Sequence, residues 1–401
     1  MNITISPSKA QGTVTAPPSK SMAHRYLIAA GLSKGKSIVR NLAPSQDILA
    51  TIDCLRTLGA QIEFDGATAT IIGTNPVTAN PQVPLNCRES GSTLRFFIPL
   101  CLLSNAPTTL VGYGRLMQRP QSVYETICQE QGLTFHQTEE TIHLEGPLQA
   151  GNFTLQGNIS SQFITGLLFA LPFANGECTI TILPPVESRS YINLTLSVLQ
   201  EFGIEARWLN DTTLQVIPGT YTARNVTVEG DYSNAAFLDA FNYLGGKVTL
   251  NGLNPCSLQG DKVFKQGFDA LYHGVPSLSL MDCPDLGPIY MAMAAALHGA
   301  TFTDTARLKI KESDRGMAMA SELAKFGAKT EVLENAIIVH PSSLSAPNEP
   351  LNAHNDHRIV MALATLCTIT GGTIVNAQAV EKSFPEYFQV ISSLGVSLKE
   401  V

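Results

Sequence analysis

Asn355-Asp356-His357-Arg358-Ile359-Val360-Met361-Ala362-Leu363-Ala364-Thr365-Leu366-Cys367-Thr368, followed by Gly371 and then Thr373-Ile374-Val375, sets the pattern from which the fold is read. Helix-capping residue types open the stretch, and a run too uniformly apolar for a surface helix follows. A glycine that tolerates positive φ ends the helix, and β-branched residues start a strand. The order recurs five more times. Apolar stretches at 25–31, 94–103, 164–173, 235–244 and 289–297 lead to strands at 37–39, 108–111, 179–182, 248–250 and 301–303. Gly35, Gly176, Gly245 and Gly299 stand near four of those junctions, where they read as helix C-caps.

A second, more amphipathic helix then ends in a glycine, as at Leu58-Gly59-Ala60, Phe202-Gly203-Ile204, Phe326-Gly327-Ala328 and Leu394-Gly395-Val396, and a strand pair often follows. Gln131-Gly132-Leu133 and His273-Gly274-Val275 fit more loosely. The unit therefore reads as helix-strand-helix-strand-strand, with a period of roughly seventy residues, longer than that of solenoid repeats. Six copies divide into two α/β domains of three, each with its apolar helices inside.

The composition narrows the function. A chain of 401 residues, 44% hydrophobic, exceeds one ordinary core and builds at least two. A net charge of −7 argues against a nucleic-acid partner. No apolar run has the length of a membrane span, and the N-terminus lacks the features of a secretory signal. The eight scattered cysteines form no CxxC pair, so buried thiols in a reducing, cytoplasmic setting are expected.

Cap-type residues precede every apolar helix: Ser19-Lys20-Ser21, Glu89-Ser90-Gly91-Ser92-Thr93, Ser160-Ser161-Gln162, Asp231-Tyr232-Ser233-Asn234, Asp285-Leu286-Gly287 and Asn355-Asp356-His357. Any one of these taken alone is ordinary capping. Lys20, Arg25, Arg95 and Arg358 beside several of them turn the set toward anion binding, because a helix N-terminus carries free N–H groups and partial positive charge. Residues 30–37 match a loose P-loop pattern, but a helix precedes the match and a strand follows it. That is the reverse of the order a nucleotide-binding P-loop needs.

The most specific motifs are Pro17-Pro18-Ser19-Lys20-Ser21-Met22-Ala23-His24-Arg25, Leu308-Lys309-Ile310-Lys311-Glu312-Ser313-Asp314-Arg315, Asn355-Asp356-His357-Arg358 and Lys382-Ser383-Phe384-Pro385. With Gln118-Arg119-Pro120 and Ser160-Ser161-Gln162, and in this order, they resemble the enolpyruvyl transferase family from about residue 6 onward. The resemblance implies a two-domain inside-out α/β barrel. Residues 18–228 would form the first three-repeat domain and 229–401 the second, which segment 1–17 would join. It also implies transfer of the enolpyruvyl group of phosphoenolpyruvate to the 5-hydroxyl of shikimate 3-phosphate, by a monomer that needs no metal or organic cofactor.

Carried over residue by residue, the resemblance puts Lys20, Ser21, Arg25, Ser160, Ser161, Gln162, Ser188, Asp285 and Lys311 on shikimate 3-phosphate. Lys20, Gly91, Arg119, Gln162, Arg315, Arg358 and Lys382 fall to phosphoenolpyruvate. Asp285 becomes the base toward the hydroxyl and Glu312 the acid toward the methylene, with Lys20 also catalytic. Gly91 is expected to keep room for phosphoenolpyruvate. The sister enzymes acting on UDP-N-acetylglucosamine usually begin with a Lys-Asn motif and carry a loop cysteine; here Ser19-Lys20-Ser21 and Arg115-Leu116-Met117 stand instead. This chain departs from many family members at Glu89-Ser90-Gly91-Ser92 and at Phe96, where proline is common. His354 and His357 are spaced i,i+3 with no further ligand in view, so no metal site is expected.

Overall fold

Apolarity on every side forces the first helix of each repeat into an interior. The computed structural model describes residues 1–401. It contains twelve α-helices: α1 (Lys20–Gly31), α2 (Gln46–Thr57), α3 (Gly91–Cys101), α4 (Ser122–Gln131), α5 (Ser161–Ala170), α6 (Arg189–Glu201), α7 (Tyr232–Tyr243), α8 (Phe264–His273), α9 (Gly287–Ala296), α10 (Arg315–Lys325), α11 (His357–Thr370) and α12 (Tyr387–Ser393). The odd-numbered helices are the six apolar ones and are buried along almost their whole length. No helix is long and apolar enough to cross a membrane.

The chain divides into two compact units, Lys20–Val228 and a second that combines Met1–Ser19 with Glu229–Val401. Each has its own apolar core. In the first, α3 packs on α5, and α1 lies against α2 and α6. In the second, α7, α9 and α11 all touch one another. The sheets lie outside these helices and bury one face, as the alternation along Asn152–Gln156 and Cys178–Leu183 shows. Each unit is thus an α/β barrel turned inside out, with helices at the centre.

The repeat proves longer than its sequence suggests. A leading strand precedes each apolar helix and pairs in parallel with the strand after it, as Asn152–Gln156 does with Cys178–Leu183. The strand pair that ends the repeat then adds antiparallel, giving four-stranded sheets. The leading strand of the first repeat, Asn225–Thr227, comes from the far end of that unit. In the second unit the N-terminal segment supplies two strands. Ile3–Ile5 completes the sixth repeat between Gly372–Val375 and Leu398–Glu400, and Gln11–Thr15 leads the fourth.

The fourth repeat lacks its closing strand pair, so Lys247–Asn251 and Gln11–Thr15 form a sheet of two strands. The outward edge of Lys247–Asn251 is plugged instead by a side chain. Asn242 accepts from the Val248 N–H at 2.6 Å and donates to the Val248 carbonyl at 2.9 Å, replacing one rung of the absent strand. Of the expected glycine caps, Gly245, Gly299 and Gly371 do take positive φ. Gly35 does so too, but lies beyond the end of α1, in the turn into Lys36–Arg40. Gly176 keeps ordinary φ, because a 3-10 turn at Leu171–Phe173 already ends α5.

Candidate active site

In the unit Lys20–Val228, the N-terminal ends of α1, α3 and α5 carry the polar residues. Lys20, the first residue of α1, pairs with Asp47 on α2, Nζ to Oδ2 at 2.7 Å. Asp47 was not legible as a site residue in the sequence. Arg25, one turn on, is buried and bonded to neutral acceptors: Thr195 Oγ1 at 2.9 Å, the Ser21 carbonyl at 2.7 Å and the Tyr191 carbonyl at 3.0 Å. Burial pushes its guanidinium down to about 10. Phe96 lies under that guanidinium with its ring centre 5.6 Å away.

Ser90 caps α3 through the Thr93 N–H, and Gly91 is the first helical residue. A Cβ on Gly91 would stand 2.5 Å from Arg119 Nη1. The glycine therefore makes room for the arginine. Ser160 caps α5, and its hydroxyl accepts from the Gln162 N–H at 3.3 Å; Ser161 opens the helix. Gln162 reaches from α5 to α3, accepting from Arg95 Nη1 and donating to Ser92 Oγ, both at 2.9 Å. Ser188, just before α6, is buried in a left-handed conformation with φ 54°.

In the other unit the charged residues interlock. Asp285 lies in the turn Pro284–Leu286, before α9. It does not cap that helix; its carboxylate accepts from Arg315 Nη1 at 2.7 Å, Arg358 Nη2 at 3.0 Å and Lys311 Nζ at 3.4 Å. Burial alone would raise its pKa, but Arg358, Lys311 and Arg315 outweigh that and hold the carboxyl well below the usual range. Burial presses Lys311 down to about 8 against the pull of Asp285. Arg315 also takes Glu312 at 2.8 Å and Asp356 at 2.9 Å.

Asp356 is fully buried, and two jobs meet in it. It caps α11 through the Arg358 N–H and fixes Arg315. Arg358 retains two buried donors, Nε and Nη1, with no hydrogen-bond partner. Lys382 donates to the Asn355 carbonyl at 2.6 Å. The two histidines diverge: His354 meets Glu322 at 2.8 Å, while His357 is buried at the start of α11. No group of three or more His, Cys, Asp or Glu side chains is placed to hold a metal ion.

The predicted residues thus fall into two sets. Lys20, Ser21, Arg25, Gly91, Arg119, Ser160, Ser161, Gln162 and Ser188 belong to one unit, and Asp285, Lys311, Glu312, Arg315, Arg358 and Lys382 to the other. The family model for EPSP synthase (3-phosphoshikimate 1-carboxyvinyltransferase) matches residues 5–270 and 272–391. The chain belongs to the EPSP synthase family. Among relatives of the family, the 3-phosphoshikimate 1-carboxyvinyltransferase of Clostridium novyi (strain NT) is 37% identical over 433 residues, covering 100% of this chain and 98% of the relative. That of Clostridium beijerinckii is 39% identical over 425 residues, covering 98% and 97%. The EPSP synthase fold is also seen in the enzyme of Acinetobacter baumannii, with a TM-score of 0.79 at 22% identity over 99% of both chains.

Proposed function

We propose that the chain transfers the enolpyruvyl group of phosphoenolpyruvate to the 5-hydroxyl of shikimate 3-phosphate, releasing phosphate, in the shikimate route to chorismate and aromatic amino acids. The observation that carries the assignment of roles is the cluster of Lys311, Arg315 and Arg358 around Asp285, in which Arg358 keeps two buried donors unpaired. Such a cluster suits a small polyanion next to a carboxylate.

Atom balance sets what the site must do. The hydroxyl oxygen bonds to C2 of phosphoenolpyruvate and loses its proton, while C3 gains one. Expulsion of phosphate and removal of a C3 proton then restore the double bond. Asp285 is the base toward the hydroxyl and Glu312 the acid toward C3. Both are tied to Arg315 here, and an anionic substrate would compete for that guanidinium and loosen the carboxylates for proton transfer.

Lys20, Gly91, Arg119, Gln162, Arg315, Arg358 and Lys382 are assigned to phosphoenolpyruvate. Shikimate 3-phosphate falls to Lys20, Ser21, Arg25, Ser160, Ser161, Gln162, Ser188, Asp285 and Lys311. The bonding of Arg25 to neutral acceptors alone supports its part in this set, because its charge stays available to a phosphate. A monomer working in the cytoplasm completes the proposal; all eight cysteines are free and seven of them buried, which suits a reducing compartment. Phosphate release should require phosphoenolpyruvate and shikimate 3-phosphate together. Release with UDP-N-acetylglucosamine instead, or with neither acceptor, would overturn the assignment.

A further inference from the structure

Glu322 is one of the few fully buried carboxylates in the protein, and it touches none of the residues assigned to substrate. It lies two turns along α10 from Arg315. Its oxygens accept from the Asn352 N–H at 2.8 Å, His354 Nε2 at 2.8 Å and Lys325 Nζ at 2.9 Å. These contacts hold an unusual loop. His354 and Asn355 are consecutive non-glycine residues in the left-handed region, with φ 50° and 53°. Side chains rarely adopt that conformation, and two in succession persist only where the surroundings enforce it.

The loop organises three cations. The carbonyl of Asn355 fixes Lys382 Nζ, the carboxylate of Asp356 fixes Arg315, and the same carboxylate caps the helix that begins with His357 and Arg358. Helix α10 therefore grips the segment 352–356 twice, through Glu322 at one end and through Arg315 at the other. We propose that Glu322 is a positioning residue for phosphoenolpyruvate, holding the left-handed turn that sets Lys382, Arg315 and Arg358 in their mutual geometry. The proposal rests on the assignment of those three cations to phosphoenolpyruvate.

The test compares steady-state kinetics of Glu322→Gln and Arg358→Gln with the unaltered enzyme. Gln at 322 keeps the shape but loses the charge that draws Lys325, His354 and the Asn352 N–H together. The expected result is a rise of about tenfold in KM for phosphoenolpyruvate, comparable to weakening one charge-assisted hydrogen bond. The rise in KM for phosphoenolpyruvate should exceed any change in kcat or in KM for shikimate 3-phosphate, since Glu322 reaches Asp285 and Glu312 only indirectly, through Arg315 and Arg358. A purely structural role would lower thermal stability and leave both KM values alone.

An unchanged phosphoenolpyruvate KM in Glu322→Gln, with a raised one in Arg358→Gln, overturns the positioning role while the cation assignment stands. An unchanged KM in both variants overturns the assignment and with it the proposal. If Glu322→Gln fails to fold, His354→Ala removes one of the same contacts from the solvent side. It should shift the same KM in the same direction, and no shift there overturns the proposal.

Discussion

Nη1 of Arg315 lies 2.7 Å from Oδ1 of Asp285, so the candidate base is paired with a buried guanidinium. With Arg358 and Lys311 on the same carboxylate, the Asp285 carboxyl is held well below the usual carboxylate range, which makes it a weak base. Asp285→Asn should lower kcat by roughly 10²–10⁴-fold, the range for loss of a positioned general base. It also leaves three cations short of a counter-charge, so its melting temperature should recover when phosphate is added. The depressed pKa has a stability consequence with a definite sign. Its contribution is fully present above the unfolded value of about 3.9 and is lost as pH falls through the lower folded value. Thermal melts below pH 4 should show acid destabilisation that is weaker in Asp285→Asn.

Lys311 gives the opposite limb. Burial brings it to about 8, so kcat/KM for shikimate 3-phosphate should fall as pH rises through that value and the ammonium is lost. Lys311→Arg should move this limb beyond the accessible range while retaining a cation. Because folding lowers this pKa, the unfolded chain holds more protons between about 8 and 10.4, and Lys311 contributes a rise in stability with pH there.

Gly91 and Arg119 are coupled by space alone. A methyl group in Gly91→Ala pushes against the end of a flexible side chain, not against backbone. The fold should survive with its melting temperature nearly unchanged, while KM for phosphoenolpyruvate rises by about 10–100-fold, the equivalent of one misplaced charged hydrogen bond. Gly91→Ala combined with Arg119→Ala should show less than the sum of the single effects.

Asn242 guards a sheet edge. Asn242→Val leaves the Val248 N–H and carbonyl without their partners, at a cost of about 1–3 kcal/mol in stability. The open edge should also promote self-association, read by sedimentation as the protein concentration is raised. Catalytic constants at low concentration should not change.

The inner helices were legible because almost their whole length is apolar and buried, and the pattern of caps and glycines framed them. The leading strands were not. Leu85–Asn86 and Leu351–Asn352 are two residues long, too short for any period to show, and Asn225–Thr227 finds its sheet only through a pairing nearly the whole unit away. Motifs with several charged residues in a row, such as Lys311-Glu312-Ser313-Asp314-Arg315, announced themselves. Asp47 did not, because its partner Lys20 is 27 residues away and an aspartate in the first turn of a helix reads as ordinary dipole compensation. Asp356 was visible as a cap, but its grip on Arg315 depends on a turn of left-handed residues that no local preference foretells.

The two-stranded sheet of the fourth repeat has a practical side. Helix α8 ends at His273, and the next leading strand, Ser277–Ser279, starts almost at once, with Val275 exposed between them. Every other repeat has strands at this point, hung on the outside of the helices that carry the chemistry. The gap at 274–276 is therefore a natural graft point: a hairpin, an affinity tag or a fluorescent reporter spliced there would occupy ground that the architecture already provides for, with the catalytic groups left undisturbed.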